Sequence, residues 1–278
     1  MARPGTITSA ANPLLKDVRR AIARGALTEQ GWCVAETFHL LEEALRSDCD
    51  VKVVLAAESV LSAVEKHVGR LARVKVAVLP DVLFQSLSGI EAGQGVMALV
   101  NPPVWKLEQL FRGCPLVVLL DGLQDPGNAG AIVRASEAFG ATGVLFLKGA
   151  VSPYNSKTLR ASAGSLFRIP YLHGVDAALA RAALQQNRVE LYAGVPQLNR
   201  ASHDRTGHER TTSRSLSKID LTRPCGLIIG NEAHGVSEAW RSAATDISIP
   251  TVGVESLNAA VAAGILLYEA RRQRALKP

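Results

Sequence analysis

The chain has 278 residues, of which 47% are hydrophobic and 20% charged, and this composition excludes global disorder and allows a substantial core. Its net charge of +6 and pI of about 9.3 favour an anionic partner. Nucleic acid is the first candidate and an anionic membrane surface is the second. The alternative is a basic protein that has no such partner. The four cysteines are scattered and lack metal-binding spacing, which predicts free thiols and no metal site. The sequence also shows neither the apolar core of a signal peptide nor a run long enough to span a membrane, so we expect a cytoplasmic protein.

The first hundred residues alternate between helical and strand patterns. An asparagine and a proline at 12–13 predict the start of a basic helix over 13–24, whose arginines fit RNA contact and an ordinary solvated face equally well. Strands are then predicted at 32–34, 51–56, 74–79 and 95–100, and helices at 36–46, 58–69 and 81–87. This alternation is typical of an α/β domain. We expect this first domain to cover 1–104, followed by a linker over 105–113 and a second domain over 114–278.

The second domain opens with a continuous apolar run at 115–121, which is typical of a parallel strand buried on both faces. Further strands are predicted at 143–148, 190–195, 226–230 and 246–249, and helices from near Asn128 to Phe139, around Lys157 and Arg160, at 176–187 and at 236–243. The polar, basic stretch 197–222 predicts a mobile surface loop that either contacts RNA or is a tolerated insertion. The last helix is expected to open at Ser256, with Leu257, Val261, Ile265 and Leu266 at helical spacing.

Three loops share one position, because each follows the carboxyl end of an apolar strand and precedes a helix. They cover 121–130, 230–235 and 253–258, and ligands bind at this end of open α/β sheets. The chain contains no GxxxxGK[ST], no GxGxxG after a strand and no GxSxG, which argues against nucleoside triphosphate turnover, dinucleotide binding, a Rossmann-type methyltransferase and a serine hydrolase. From the residues alone we expect a two-domain α/β protein with a glycine-lined polar pocket.

In order and spacing, these loops resemble the three motifs of the SpoU/TrmH family of RNA 2′-O-ribose methyltransferases in the SPOUT superfamily. The motifs are 125–134, 229–237 and 249–258, and 153–167 is similar to the family's intermediate segment. The resemblance covers 115–278 well, and 6–100 are similar, less sharply, to an L30e-like substrate-binding domain. The main departure is the long basic stretch at 197–222, which puts the substrate contacts of that edge in doubt.

The resemblance implies a C-terminal parallel-sheet α/β domain tied in a deep trefoil knot and a smaller N-terminal L30e-like α/β domain. It implies S-adenosylmethionine as the methyl donor without a metal, and a homodimer formed through the C-terminal domain. The implied reaction is methyl transfer to a ribose 2′-hydroxyl, with ribosomal RNA favoured as substrate and transfer RNA possible. A non-catalytic RNA-binding or ribosome-assembly protein of the same fold is the alternative.

The resemblance also implies roles for single residues. The backbone at Gly230, Ile249 and Leu257 would hold the cofactor. The implied catalytic residues are Arg134, Asn128, Glu232, Ser256 and Asn258. We expect Arg134 to orient the hydroxyl and the adjacent phosphate rather than act as a base, because an arginine with a pKa above about 12 stays protonated. Asn128 would hold Arg134 or its loop, and Glu232 would orient polar partners. Without the motifs, Asn128 and Ser256 would be read as simple helix caps.

Overall fold

The computed structural model describes residues 5–47, 49–68, 74–87, 93–197, 213–254 and 256–276. These residues form two compact units, one made of the chain up to Val104 together with Ser152–Arg168, and the other of Trp105–Val151 and the residues from Ile169 onward. Most of the predicted basic loop, 198–212, lies outside the described residues. No helix in the described ranges is long and apolar enough to cross a membrane. The functional roles of the predicted domains and of the 105–113 linker stay a prediction.

The first unit contains a mixed five-stranded sheet. Its strands are β1 (Gly5–Thr6), β2 (Cys33–Glu36), β3 (Asp50–Ala57), β4 (Lys75–Leu79) and β5 (Val96–Asn101), in the order β1-β4-β3-β5-β2. Its first helices are α1 (Pro13–Arg24), α2 (Phe38–Arg46), α3 (Leu61–Val68) and α4 (Asp81–Gln85). The core includes Leu15, Val18, Leu55, Met97 and Leu99. β1, β4 and β3 run parallel, whereas β5 is antiparallel to both β3 and β2.

Helix α1 begins as predicted. The side chain of Asn12 accepts a hydrogen bond from the N–H of Leu14 at 2.9 Å, and Pro13 occupies the first helical position. The helix ends at Gly25, whose φ of 58° lies in the left-handed region that glycine adopts without strain. Helix α2 starts two residues after the predicted Glu36, because that carboxylate is buried in β2 and Thr37 caps the helix instead.

The second unit contains a seven-stranded sheet in which every described pair is parallel. Its strands are β6 (Leu116–Leu120), β7 (Gly143–Leu147), β8 (Tyr171–Val175), β9 (Glu190–Gly194), β10 (Arg214–Ser215), β11 (Cys225–Ile229) and β12 (Thr245–Ser248), in the order β10-β12-β9-β11-β6-β7-β8. The remaining helices are α5 (Pro126–Ala138), α6 (Ser156–Ser162), α7 (Ala177–Gln186), α8 (Glu238–Arg241) and α9 (Ala259–Ala275), of which α6 belongs to the first unit.

Three adjacent strands of this sheet are buried along their whole length, which confirms the interpretation of the runs at 115–121 and 226–230 as buried strands. All residues of β6, β7 and β11 are buried, and they pack with Leu110, Leu184 and Trp240 into the core of the second unit. The sequence patterns did not predict β8. This strand lies at the sheet edge, and its middle residues His173 and Gly174 are exposed, so it lacks a continuous apolar run.

Two of the predicted helix caps were wrong. Helix α5 is capped by Asp125, which accepts from the N–H of Asn128 at 2.6 Å, so Asn128 lies in the first turn instead of at the cap. Helix α9 is capped by Asn258, which accepts from the N–H groups of Ala260 and Val261, so Ser256 precedes the helix. The apolar residues predicted at helical spacing in α9 do not share one buried face. Leu266 is buried, whereas Val261 and Ile265 are exposed.

Candidate active site at the carboxyl edge of the parallel sheet

The loops that follow β6 and β11 are joined by hydrogen bonds. The N–H of Asp121 donates to the carbonyl of Ile229 at 2.9 Å, and the Asp121 carboxylate accepts from the N–H of Ser237 at 2.7 Å. The side-chain amide of Asn231 donates to the carbonyl of Gly122 at 2.9 Å. Because β6 and β11 are adjacent and parallel, their carboxyl ends meet, and these bonds hold the first two motif loops together.

A chain of side-chain hydrogen bonds joins all three motifs. The Nδ2 of Asn258 donates to Oδ1 of Asn128 at 3.0 Å, and the Nδ2 of Asn128 donates to Oε1 of Glu232 at 3.1 Å. The carboxylate of Glu232 also accepts from the backbone N–H groups of Gln124 and Asp125, at 3.4 and 3.3 Å. The structure therefore brings together three of the five predicted catalytic residues, and Asn128 is the link between the other two.

Glu232 remains ionised at neutral pH. Partial burial alone would raise its pKa, but the hydrogen bonds from the Asn128 side chain and from backbone N–H groups outweigh burial and hold the pKa below its ordinary value. A carboxylate that only accepts hydrogen bonds suits this position, because the groups that face it are donors. The carboxylate thus orients the loop that precedes α5.

Arg134 and Ser256 lie outside this chain of hydrogen bonds. Arg134 is exposed, and within the described ranges its guanidinium has no hydrogen-bond or ion-pair partner. It follows Asn128 by six residues, so the two side chains point about 120° apart around the axis of α5. Ser256 lines a cavity next to these three hydrogen-bonded side chains but forms no hydrogen bond with any of them. The guanidinium is therefore available to a partner from outside the described residues.

The cavity has a volume of about 620 Å³ and is lined by the loops after β9, β11 and β12. The three predicted cofactor residues, Gly230, Ile249 and Leu257, all line it, and its size is in the range of sites for small organic ligands. Gly230 is required by close packing, since a Cβ there would lie 2.1 Å from the carbonyl carbon of Gly235. Only glycine lets the loop close back on itself at this wall.

Several lining residues were missed by the sequence analysis. Arg241 and Asp246 form a two-contact ion pair in the cavity wall, with Nε to Oδ1 at 3.2 Å, and this pair raises the pKa of Arg241. Gln197 and Thr251 also line the cavity. Gln197 follows the carboxyl end of β9, so the rule that predicted the other loops could have found it. No pattern in the sequence indicates the Arg241–Asp246 pair.

The chain is similar to known RNA methyltransferases along most of its length. The model of the SpoU rRNA Methylase family matches residues 115–268. The 23S rRNA (guanosine(2553)-2′-O)-methyltransferase RlmP of Bacillus subtilis is 30% identical over 95% of this chain and 98% of its own length. The 23S rRNA (uridine(2479)-2′-O)-methyltransferase of Streptomyces viridochromogenes is 36% identical over 72% of this chain and 68% of its own length. The crystal structure of the SpoU methyltransferase AviRb from Streptomyces viridochromogenes, in complex with the cofactor AdoMet, superposes with a TM-score of 0.83 at 28% identity, covering 96% of this chain and 100% of that one.

Proposed function

The chain belongs to the SpoU rRNA methylase family, and from that membership and the site we propose that it methylates ribose 2′-hydroxyls of ribosomal RNA. It is an RNA 2′-O-methyltransferase that uses S-adenosylmethionine as the methyl donor. The observation that carries this function is the meeting of all three family motifs at one sheet edge, where Asn258, Asn128 and Glu232 are hydrogen-bonded beside the cavity.

The cavity residues fit S-adenosylmethionine. The volume of about 620 Å³ suits a ligand of this size. The cavity offers apolar surface for the adenine and the methionine chain from Ile249, Leu257 and Leu266. Because Gly230 packs directly against the backbone of Gly235, this part of the cavity wall consists of backbone and not of side chains. When bound, S-adenosylmethionine supplies a methyl group on a sulfonium, which is electrophilic without further activation.

The contribution of the protein is to align and orient. Glu232, Asn128 and Asn258 fix the three loops relative to one another, and a fixed alignment of reacting groups can lower a barrier by about 7–11 kcal/mol. We propose that Arg134 binds the ribose 2′-hydroxyl and the adjacent phosphate, because its guanidinium is exposed and unpaired within the described ranges. A guanidinium there would also stabilise negative charge that develops on the 2′-oxygen.

We propose that two copies of the chain associate through α9. Val261, Ile265 and Tyr268 are exposed and follow one another at helical spacing, on the face opposite the buried Leu266 and Leu267. An apolar stripe on an enzyme surface is typical of an interface, and the family resemblance supports a second copy of the chain as the occupant. Family membership also supports our proposals that the second unit is knotted, that the first is an L30e-like RNA-binding domain and that the enzyme is cytoplasmic.

The test of this function is transfer of labelled methyl from S-adenosylmethionine into unmodified ribosomal RNA and transfer RNA, with mapping of the labelled nucleotide. We expect label on a ribose 2′-oxygen of ribosomal RNA. Label confined to transfer RNA would contradict the proposal that ribosomal RNA is the substrate. Absence of both transfer and S-adenosylmethionine binding in calorimetry would instead support a non-catalytic RNA-binding protein.

A further inference from the structure

One side-chain hydrogen bond joins two of the segments that line the cofactor cavity. The Oε1 atom of Gln197 accepts from the backbone N–H of Thr251 at 3.0 Å. Gln197 lies in the segment that follows β9, and Thr251 lies in the segment that follows β12. Both residues line the cavity, so the bond joins two of its walls.

The segment that Gln197 holds is a small turn with few other contacts. The Thr251 hydroxyl donates to the carbonyl of Val254 at 2.9 Å, and Gly253 between them has a φ of 77°. Val252 is 100% exposed and Val254 is 55% exposed, so neither side chain anchors the turn in the core. Within the described ranges, the bond to Gln197 is the only hydrogen bond from residues 250–254 to another element.

We infer that Gln197 is a positioning residue that fastens the turn Thr251–Val254 at the cofactor cavity and thereby raises the affinity for S-adenosylmethionine. This inference rests on the proposed function, because it takes the cavity as the cofactor site. The side chain acts through Thr251, so the required property is a hydrogen-bond acceptor at the position of Oε1. The amide donor of Gln197 is not required.

Two substitutions separate the acceptor from the rest of the side chain. Gln197→Met keeps the length of the side chain and removes the acceptor, whereas Gln197→Glu keeps an acceptor because a carboxylate only accepts. From the usual strength of one such bond we expect Gln197→Met to raise the Kd for S-adenosylmethionine about 3- to 10-fold. Gln197→Glu should retain a Kd within about twofold of the wild type. Gln186→Met, at an exposed position of α7 that does not line the cofactor cavity, is the matched control.

The first measurement is made without cofactor and so does not depend on the proposed function. Amide hydrogen exchange at Thr251 should be protected in the wild type, in Gln197→Glu and in the control, and should be faster in Gln197→Met. The second measurement is the Kd of S-adenosylmethionine by calorimetry, together with kcat and KM for methyl transfer. We expect Gln197→Met to raise KM for S-adenosylmethionine while kcat at saturation stays within about twofold, because the reacting groups are unchanged.

Each other outcome overturns the inference. An unprotected Thr251 amide in the wild type would mean that the bond does not form in solution. An unchanged Kd in Gln197→Met would mean that the turn does not influence binding. Equal weakening by Gln197→Met and Gln197→Glu would mean that the amide donor contacts the ligand directly. If the exchange result holds and the wild type binds no S-adenosylmethionine, the failure belongs to the proposed function and not to the bond.

Discussion

Arg134 is the residue on which the proposed chemistry depends most. It is exposed, it has no partner within the described ranges, and it lies on α5 six residues, or about one and two-thirds turns, beyond the hydrogen-bonded Asn128. An exposed and unpaired guanidinium suits an RNA phosphate and an oxygen that gains negative charge. This separation from the hydrogen-bond chain predicts that Arg134 serves catalysis and not the integrity of the site.

Replacing Arg134 with Ala should therefore remove transfer without loosening the cofactor site. We expect single-turnover methyl transfer to fall by about 100-fold or more, while the Kd for S-adenosylmethionine stays within about twofold. Arg112→Ala, at an exposed position just before β6 on the opposite edge of the sheet, is the control and should transfer normally. Wild-type turnover in Arg134→Ala would reject the role assigned to this residue.

Glu232 provides a pH-dependent test of the hydrogen-bond chain. Its pKa is lower in the folded state than its ordinary value, because hydrogen bonds from Asn128 and from backbone N–H groups outweigh partial burial. A carboxylate with a lowered folded pKa stabilises the fold fully above its unfolded pKa, and this contribution is lost as the pH falls through the folded pKa. The stabilising effect should therefore be present at neutral pH and absent in acid.

We expect Glu232→Gln to lower the free energy of unfolding by about 1 kcal/mol at neutral pH, a modest value because the side chain is largely solvated. The difference between wild type and variant should be constant above the ordinary pKa of a glutamate and should shrink as the pH falls through the lower pKa of the folded state. Denaturant unfolding at a series of pH values measures it. A difference that does not change with pH would show that the charge of Glu232 is not what the loop requires.

The sequence predicted the residues of this site better than their local roles. Asn128, Glu232 and Asn258 were identified by motif resemblance, and they meet in the structure. The caps of α5 and α9 were assigned wrongly, because Asp, Asn and Ser have similar capping preferences and several stand within a few residues of each of these helix starts. The Arg241–Asp246 pair could not be predicted, since two ordinary surface residue types become partners only when the fold places the end of α8 beside β12.

At the scale of single elements, the loop after β11 is fixed by a glycine. We expect Gly230→Ala to weaken S-adenosylmethionine binding by at least about 10-fold, because a Cβ 2.1 Å from the carbonyl carbon of Gly235 forces the loop to shift. Gly264→Ala is the matched control, since a Cβ on this residue of α9 meets nothing within 4 Å. Calorimetry and a thermal melt separate lost binding from lost folding. Normal binding by Gly230→Ala would contradict the close packing.

The end of α9 is fastened to the rest of the second unit by Arg274. Its guanidinium donates to the carbonyls of Cys114, Pro115, Leu221 and Arg223 at 2.8 to 2.9 Å. These acceptors lie just before β6 and β11, so one side chain joins the last helix to the starts of two central strands. The helix that carries the third motif at its beginning is thus held at both ends.

Arg274→Ala should lower the free energy of unfolding of the chain by about 2 kcal/mol, because several carbonyls lose a charged donor. Arg271→Ala is the control, since this exposed arginine has no partner within the described ranges and its loss should cost less than about 0.5 kcal/mol. Denaturant unfolding monitored by circular dichroism measures both. Equal stability of the two variants would show that the bonds of Arg274 contribute nothing net.

The sequence predicted the buried elements more reliably than those at edges. Apolar runs identified β6, β7 and β11, whose residues are all buried, because a parallel strand covered on both faces has no polar positions. β8 was not predicted, because its middle residues are exposed and its sequence therefore lacks a continuous apolar run. The buried face of α9 was also misassigned, since Val261 and Ile265 have the same apolar character as Leu266 but lie on the exposed side.

At the scale of the whole molecule, that exposed side of α9 predicts association. We expect Ile265→Asp to convert a dimer into a monomer in analytical ultracentrifugation, because a carboxylate placed in an apolar interface loses hydration without gaining a partner. Leu179→Asp, at a position of α7 that is 58% exposed, is the control and should remain dimeric. A wild type that sediments as a monomer at micromolar concentration would contradict the proposed dimer.

The central claim is that this chain transfers a methyl group to a ribose 2′-oxygen of ribosomal RNA. The most direct measurement supplies labelled S-adenosylmethionine and unmodified ribosomal RNA to the wild type and to Arg134→Ala, and maps the label by nuclease digestion and mass spectrometry. The prediction is label on one ribose 2′-oxygen with the wild type and about 100-fold less with the variant. Label on a base, or equal labelling by both proteins, would contradict it.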